Sequence, residues 1–160
     1  MCTFIFVENN QVKKMKEKFM IEAIKEATKS LNIDEVPVGA VIVRNQRIIA
    51  RGHNLKENKN SSLAHAEIIA IQKATIKNKN WRLNDCDIYV TLEPCPMCAS
   101  AIKQSRIKKV YYGASTTENN HKIFESICNT IDNNKKLDYE ADLMKLECTE
   151  LLKKFFKKKR

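Results

Sequence analysis

The pattern of hydrophobic and polar positions predicts helices alternating with strands in the first half of the chain. Apolar residues at helical spacing predict an amphipathic helix over 12–31, and a helix over 65–77 is apolar on most of its circumference. Between them, 36–43 and 47–53 are rich in β-branched and aliphatic residues and are separated by three polar residues. This arrangement predicts a two-stranded hairpin followed by a buried helix.

The second half continues the alternation until the pattern weakens. The polar, Asn-rich segment 116–134 shows no clear period, and beyond it the last helix has apolar residues at Cys148, Leu151, Leu152 and Phe155. Strands alternating with helices predict a layered α/β domain with helices on the faces of the sheet. The remaining predicted elements are a strand at 87–92, a helix at 96–105, a strand at 109–114 and a strand near 143–146.

The length and the hydropathy pattern indicate one domain. The chain has 160 residues, which suits a single domain over 1–160. No run of about 18 apolar residues occurs, and the short apolar start lacks a basic leading segment, so we expect neither a membrane span nor a secretory signal. We therefore expect a cytoplasmic protein in which residues 1–11 form a loose arm.

The positive charge is concentrated at one end of the chain. The formal net charge is +10, and six of the last eight residues are basic, which defines a tail over 153–160. A basic surface favours a polyanionic partner, because neutralising phosphates releases counterions. A tail that is merely solvated explains the same composition, so the charge alone leaves both interpretations open.

The six cysteines include one close pair, Cys95 and Cys98. Without an export signal a disulfide framework is not expected. Pro96 is suited to the first turn of a helix, which places both thiols about one turn apart on one face. Such a pair forms a redox motif, half of a structural zinc site, or half of a catalytic zinc site. With His65 as a third ligand, the fourth position stays open for water, as in catalytic sites.

His65 and Glu67 indicate a functional site more strongly together than either residue does alone. A histidine at a helix start is commonly structural, and a glutamate in the first turn commonly complements the helix dipole. Glu67, however, stands in an apolar segment, where an ionised carboxylate is costly without a partner or a task. Residues two apart on a helix do not point the same way, so the two converge only if His65 lies at the irregular helix start.

The combined motifs resemble those of the zinc nucleobase deaminases. His65-Ala66-Glu67 followed by Pro94-Cys95-Pro96-Met97-Cys98 is similar to the signature of that family. The longer stretches resemble the bacterial tRNA adenosine deaminases, in the same chain order. These stretches are Glu35-Val36-Pro37-Val38-Gly39-Ala40-Val41, Ala64-His65-Ala66-Glu67-Ile68, Tyr89-Val90-Thr91-Leu92-Glu93-Pro94, Ser105-Arg106-Ile107 and Tyr112-Gly113-Ala114.

The resemblance implies a three-layer α/β/α cytidine-deaminase-like fold with a central mixed sheet of about five strands. It implies one zinc ion held by His65, Cys95 and Cys98, with Glu67 moving protons between an activated water and the purine. The backbone near Ala66 then helps to orient the base. Adenosine in a tRNA anticodon loop becomes inosine, at the wobble position, and the enzyme is expected to be a homodimer.

Some assignments stay open at this point. Asn54 matches an asparagine that contacts the nucleoside in the family, and it also suits a turn at the end of a strand, while His53 is expected to be a packing or surface residue. The segment 115–122 departs from the family pattern, which leaves the RNA contacts there undefined. The alternatives are a deaminase of a free base or nucleotide, and a non-catalytic RNA-binding subunit that keeps zinc for structure.

Overall fold

The computed structural model describes residues 2–132 and 135–159, with the backbone alone for residues 2–8. A five-stranded mixed sheet in the order β2-β1-β3-β4-β5 forms its centre. The strands are β1 (Gly39–Arg44), β2 (Arg47–His53), β3 (Cys86–Leu92), β4 (Lys109–Ala114) and β5 (Asp138–Glu140). The helices in the described part of the chain are α1 (Cys2–Asn32), α2 (Ala66–Asn78), α3 (Pro96–Gln104), α4 (Glu118–Asn129) and α5 (Lys145–Lys159).

The sheet combines a hairpin with a parallel part. β1 pairs antiparallel with both β2 and β3, whereas β3, β4 and β5 run parallel. Asn45 and Gln46 connect the hairpin with φ values of 49° and 59°, the left-handed pair that a two-residue turn between twisted strands requires. The predicted hairpin and the parallel unit around Cys95 are both confirmed.

Alternating strand residues separate two cores. Ile42, Ile88 and Val110 face a core shared with α2, α3 and α4. Val41 and Tyr89, one position along their strands, face a second core shared with α1 and α5. The three-layer α/β/α architecture that the family resemblance implied is therefore present.

Two expectations about the elements differ from the structure. The predicted strand near 143–146 is wrong, because Asp142 and Met144 have left-handed φ values of 65° and 53°, which no strand contains. The short strand β5 lies before this segment, and α5 begins at Lys145. Residues 2–11, expected to form a loose arm, continue α1.

The segment that lacked a clear period contains the fourth helix. Thr117 caps α4 by accepting a hydrogen bond from the backbone N–H of Asn120. Phe124 and Cys128, four residues apart, are its buried side chains. No helix in the described residues is both long enough and apolar enough to cross a bilayer.

Candidate metal centre and active site

Cys95 and Cys98 lie at the start of α3, directly beyond the end of β3. Cys95 caps the helix with an extended backbone, at φ −66° and ψ 165°, and Pro96 is the first helical residue. Cys98 follows within the first turn and is fully buried. Because the helix N-terminus carries a partial positive charge, both sulfurs stand where thiolates are favoured.

His65 approaches both sulfurs from α2. It is the residue before that helix and has an extended backbone at φ −78° and ψ 152°, which is the irregular start that convergence with Glu67 requires. Its Nδ1 atom lies 3.7 Å from Cys95 Sγ and 3.5 Å from Cys98 Sγ. The structure therefore brings together the three side chains that the sequence motifs had paired.

The spacing of the three atoms fits a tetrahedral zinc ion. Metal–nitrogen and metal–sulfur bonds of typical length, at a tetrahedral angle, place nitrogen and sulfur about 3.6 Å apart. The two observed separations match this value, and all three donor atoms lie within 4.8 Å of one another. One imidazole and two thiols are a donor set that suits zinc and leaves room for a fourth ligand.

The electrostatics of the group favour a thiolate. A hydrogen bond from Cys98 lowers the pKa of Cys95 to about 4, and the same interaction raises the pKa of Cys98. The hydrogen bond with Cys95 raises the pKa of His65. A divalent cation can take the place of the thiol proton, because thiols bind metals in the deprotonated form.

Glu67 lies beside this group and is shielded from solvent. Its residue is 4% exposed, and burial raises the pKa of its carboxyl group to about 7. The neighbouring Cys98 thiol partly offsets this rise in the pKa of Glu67. A carboxyl group that titrates near neutral pH and borders a metal-binding group is suited to both accepting and donating a proton.

The close contact between α2 and the sheet positions Ala66 and Glu67. A Cβ atom on Gly52 of β2 would lie 2.2 Å from the carbonyl oxygen of Ala66. Glycine at this position therefore lets the first turn of α2 rest directly on the strand. Ala66 itself is fully buried.

Asn54 follows β2 and has a fixed amide orientation. Its Nδ2 atom donates to the carbonyl oxygen of Val36 at 3.3 Å and lies 3.5 Å from Oε2 of the buried Glu35. Two acceptors on one side identify the nitrogen of the amide and turn its oxygen the other way. The next residue, Leu55, donates its backbone N–H to the carbonyl oxygen of Ala64, which ties the loop after β2 to the residue before His65.

A cavity of about 520 Å³ opens beside Asn54 and reaches the C-terminal helix. Phe155 and Lys159 of α5 line its far side. Phe155 is buried, as its spacing in the helix favoured, whereas Phe156 is 51% exposed. His53 packs elsewhere, with Nδ1 3.0 Å from Oε2 of Glu26, in line with the packing role expected for it.

Glu93 is a residue near the site whose importance the motifs did not reveal. Its side chain is fully buried and accepts hydrogen bonds from the backbone and hydroxyl of Thr116 at 3.0 and 2.7 Å. His121 Nδ1 lies 2.5 Å from its other oxygen. Burial alone would raise the pKa of Glu93, but these hydrogen bonds lower it. A carboxylate inside the stretch before Cys95 was the only signal in the sequence.

A match to a known protein family identifies the class of this protein. The family described as the cytidine and deoxycytidylate deaminase zinc-binding region matches residues 13–114, and the chain belongs to this family. A guanine deaminase structure from Bacillus subtilis shares the fold at a TM-score of 0.62 and 34% identity, covering 78% of this chain and 83% of its own. The His65, Cys95 and Cys98 group therefore lies in a zinc-binding deaminase domain.

Within that class, the chain is similar to enzymes named for tRNA. The chain is 42% identical over 147 residues to the tRNA-specific adenosine deaminase of Bacillus subtilis strain 168, covering 90% of each chain. It has the same identity over 147 residues to the tRNA-specific adenosine deaminase of Streptococcus pyogenes serotype M1, covering 89% of this chain and 84% of the relative. A structure from studies of A-to-I editing by tRNA:A34 deaminases matches at a TM-score of 0.77 and 39% identity, covering 84% of this chain and 99% of that chain. These similarities place the chain among the tRNA-specific adenosine deaminases.

Proposed function

We propose that this protein hydrolyses adenosine to inosine in tRNA, at the wobble position of the anticodon. The observation that carries the proposal is the buried Glu67 carboxyl group next to the His65 and Cys98 side chains. A structural zinc site has no need of such a carboxyl group. The relatives named for this activity, including one named for adenine 34 in Arabidopsis thaliana, support the choice of substrate.

In this proposal His65, Cys95 and Cys98 hold one zinc ion, whose role is Lewis-acid activation of a water molecule. Glu67 accepts a proton from the attacking water and passes it to the ring nitrogen, and it then transfers the proton of the new hydroxyl group to the departing amine. Water and adenosine are consumed, and inosine and ammonia are formed. Because Glu67 is not among the three donor residues, it stays free to carry protons in both directions.

Two further groups position the base. The backbone of Ala66 lies at the first turn of α2, between His65 and Glu67, and we assign it to an edge of the purine. The amide nitrogen of Asn54 faces Glu35 and Val36, so its amide oxygen faces away from them and is assigned to the base. We assign substrate binding to these two residues.

The RNA must deliver an unstacked adenosine, because the reacting carbon is inaccessible inside a base stack. An anticodon loop supplies one at low cost. The cavity between Asn54 and α5 is the entrance that we assign to the flanking nucleotides, with the lysines of α5 close by. Phe156 follows Phe155, which lines the cavity, and its exposed ring is available for stacking.

We also propose that the protein is a homodimer and that it works in the cytoplasm, where its substrate is found. Light scattering after size exclusion tests the first point, since a monomer at micromolar concentration would contradict it.

Deamination of a free base is the second candidate, because the chain is 34% identical to a guanine deaminase of related fold. The decisive experiment incubates zinc-loaded protein with unmodified tRNA transcripts and, separately, with guanine, cytosine and cytidine. We expect inosine at position 34 of a tRNA and no turnover of the free compounds. Turnover of a free base without inosine in any transcript would select the second candidate.

A variant of Glu67 distinguishes an active deaminase from a non-catalytic subunit that keeps zinc for structure. Glu67→Ala should retain one zinc per chain, because Glu67 is not a donor, and should abolish inosine formation. Unchanged activity in that variant would contradict the mechanism.

A further inference from the structure

A positively charged site lies at the end of the sheet where the parallel strands begin, opposite to the end that carries the metal centre. A cavity of about 150 Å³ opens at the N-terminal ends of the three parallel strands. Five basic residues and one acidic residue line it together with Asn84, Ile107 and Leu137. The basic residues are Lys103, Arg106, Lys108, Lys135 and Lys136, and we call this site the basic groove.

Three of these five cations form no ion pair within the part of the chain that the structure describes, although Lys108 interacts electrostatically with Asp87. The ammonium group of Lys103 donates to the carbonyl oxygens of Ile127 and Thr130, so it is held at the C-terminal end of α4. The side chains of Lys108, Lys135 and Lys136 are exposed and form no hydrogen bond or ion pair with the residues that the structure describes. Such a concentration of unpaired positive charge favours binding of a polyanion.

The backbone of Arg106 has a left-handed conformation where α3 ends beside the groove. Arg106 follows α3 with a φ of 61°, and the backbone N–H groups of Arg106 and Ile107 donate to Lys103 and Ile102. This is a Schellman ending, in which glycine is strongly preferred at the left-handed position. An arginine there is strained, as is Lys79 at the end of α2, and it adds a further cation to the lining of the groove.

An aromatic side chain borders the same cluster. Trp81 is 50% exposed, and the guanidinium carbons of Arg82 and Arg106 lie 4.2 and 5.7 Å from its ring centroid. Stacked guanidinium groups next to unpaired lysines are suited to phosphates and sugars along a nucleic-acid backbone.

The distance between the two sites decides the class of ligand. β3 spans seven residues from the groove to the metal centre, a separation of about 20 Å. A single nucleoside in the active site cannot reach the groove, whereas a folded RNA can contact both.

We infer that the basic groove binds the phosphodiester backbone of the substrate tRNA, away from the reacting adenosine. The inference rests on the proposed function for the identity of the RNA, but the binding itself does not require deamination.

Equilibrium binding of unmodified tRNA transcript tests the inference with two double variants of equal charge change. Lys108→Ser with Lys136→Ser removes two groove cations. Lys14→Ser with Lys18→Ser removes two exposed lysines of α1, on the other face of the sheet. Each lost phosphate contact should weaken binding about fivefold at 0.15 M salt and lower the salt slope by about one. We expect both effects in the groove variant and neither in the α1 variant.

Arg106→Gly excludes misfolding as the cause of lost binding. Glycine relieves the left-handed backbone, so the Tm should equal or exceed that of the wild type while the affinity for tRNA falls. In all groove variants kcat at saturating tRNA should stay unchanged.

Equal tRNA affinity in wild type and groove variants would overturn the inference, as would equal losses in the groove and α1 variants. The two proposals fail separately. Weaker binding by the groove variants without inosine from the wild type would count against the proposed function alone, and normal inosine formation with unchanged binding would count against the groove alone.

Discussion

Gly52→Ala tests how closely the active site depends on contact between α2 and β2. The new Cβ atom would lie 2.2 Å from the Ala66 carbonyl oxygen and 2.8 Å from the Ala70 backbone nitrogen. Ordinary contact between such atoms is about 3.5 Å, so the start of α2 has to move by about 1 Å. The displacement carries His65 and Glu67 away from the sulfurs.

The expected losses follow from that displacement. Overpacking of this kind costs about 1–3 kcal/mol of unfolding free energy. A misplacement of about 1 Å at a reacting centre lowers kcat about 100-fold. Zinc affinity should fall as well, measured by competition with a chromogenic chelator, because the His65 nitrogen leaves its place beside both sulfurs.

Gly113→Ala is the matched control. Its Cβ atom would lie 2.3 Å from Cys148 Sγ and 2.8 Å from Cys148 Cβ, so it overpacks the core on the α5 face, away from α2. We expect a similar loss of stability with zinc affinity retained. The argument is refuted if Gly52→Ala binds zinc and turns over tRNA like the wild type, or if both variants lose zinc equally.

Three other predictions use the same protein. Glu67→Gln should lower kcat about 100- to 10,000-fold with one zinc per chain still bound, and a zinc-free variant would show instead that Glu67 serves the metal. The hydrogen bond with Glu93 raises the pKa of His121. The stability lost in His121→Asn should therefore be largest below about pH 6.5 and vanish as the pH rises through the folded-state pKa, which urea unfolding at pH 6 and pH 9 measures. A pH-independent difference would exclude a charged pair. Phe124→Ala removes a fully buried ring of α4 and should cost about 3–5 kcal/mol in urea unfolding, whereas a cost below about 1 kcal/mol would mean that α4 is not packed on the sheet.

The sequence predicted the parts of the fold in which local pattern and tertiary packing agree. The hairpin, the strand over 109–114 and the buried helix after His65 all have an apolar period that matches their burial. The segment containing α4 has only two buried residues, Phe124 and Cys128, in a run of polar ones. Their spacing of four was the available signal, and the asparagines around them obscured it.

The error near 143–146 has a different cause. Leu143 is buried and donates its backbone N–H to the Tyr112 carbonyl oxygen, so it resembles a strand residue locally. Its neighbours Asp142 and Met144 are left-handed, which ends any pairing after one bond. The pattern of apolar side chains does not predict a left-handed backbone, because at a residue other than glycine this conformation is set by the surrounding structure.

In the candidate site, too, residues in short motifs were predictable, whereas a contact between residues far apart in the sequence was not. The motifs identified His65, Glu67, Cys95 and Cys98, because His-x-Glu and Cys-x-x-Cys each have a characteristic spacing along the sequence. The pair formed by Glu93 and His121, 28 residues apart, was invisible until the fold brought them together. It joins the segment that departs from the family pattern to the strand that leads into Cys95.

The order of the strands has a consequence for how zinc and folding depend on each other. His65 follows β2 and the two cysteines follow β3, while β1 lies between these strands in the sheet. The three donors, separated by 30 and 33 positions, meet only after the hairpin has docked on β3. A bound ion then acts as a reversible cross-link across that seam, so chelation should loosen the hairpin edge first and leave the parallel half of the sheet protected from amide exchange.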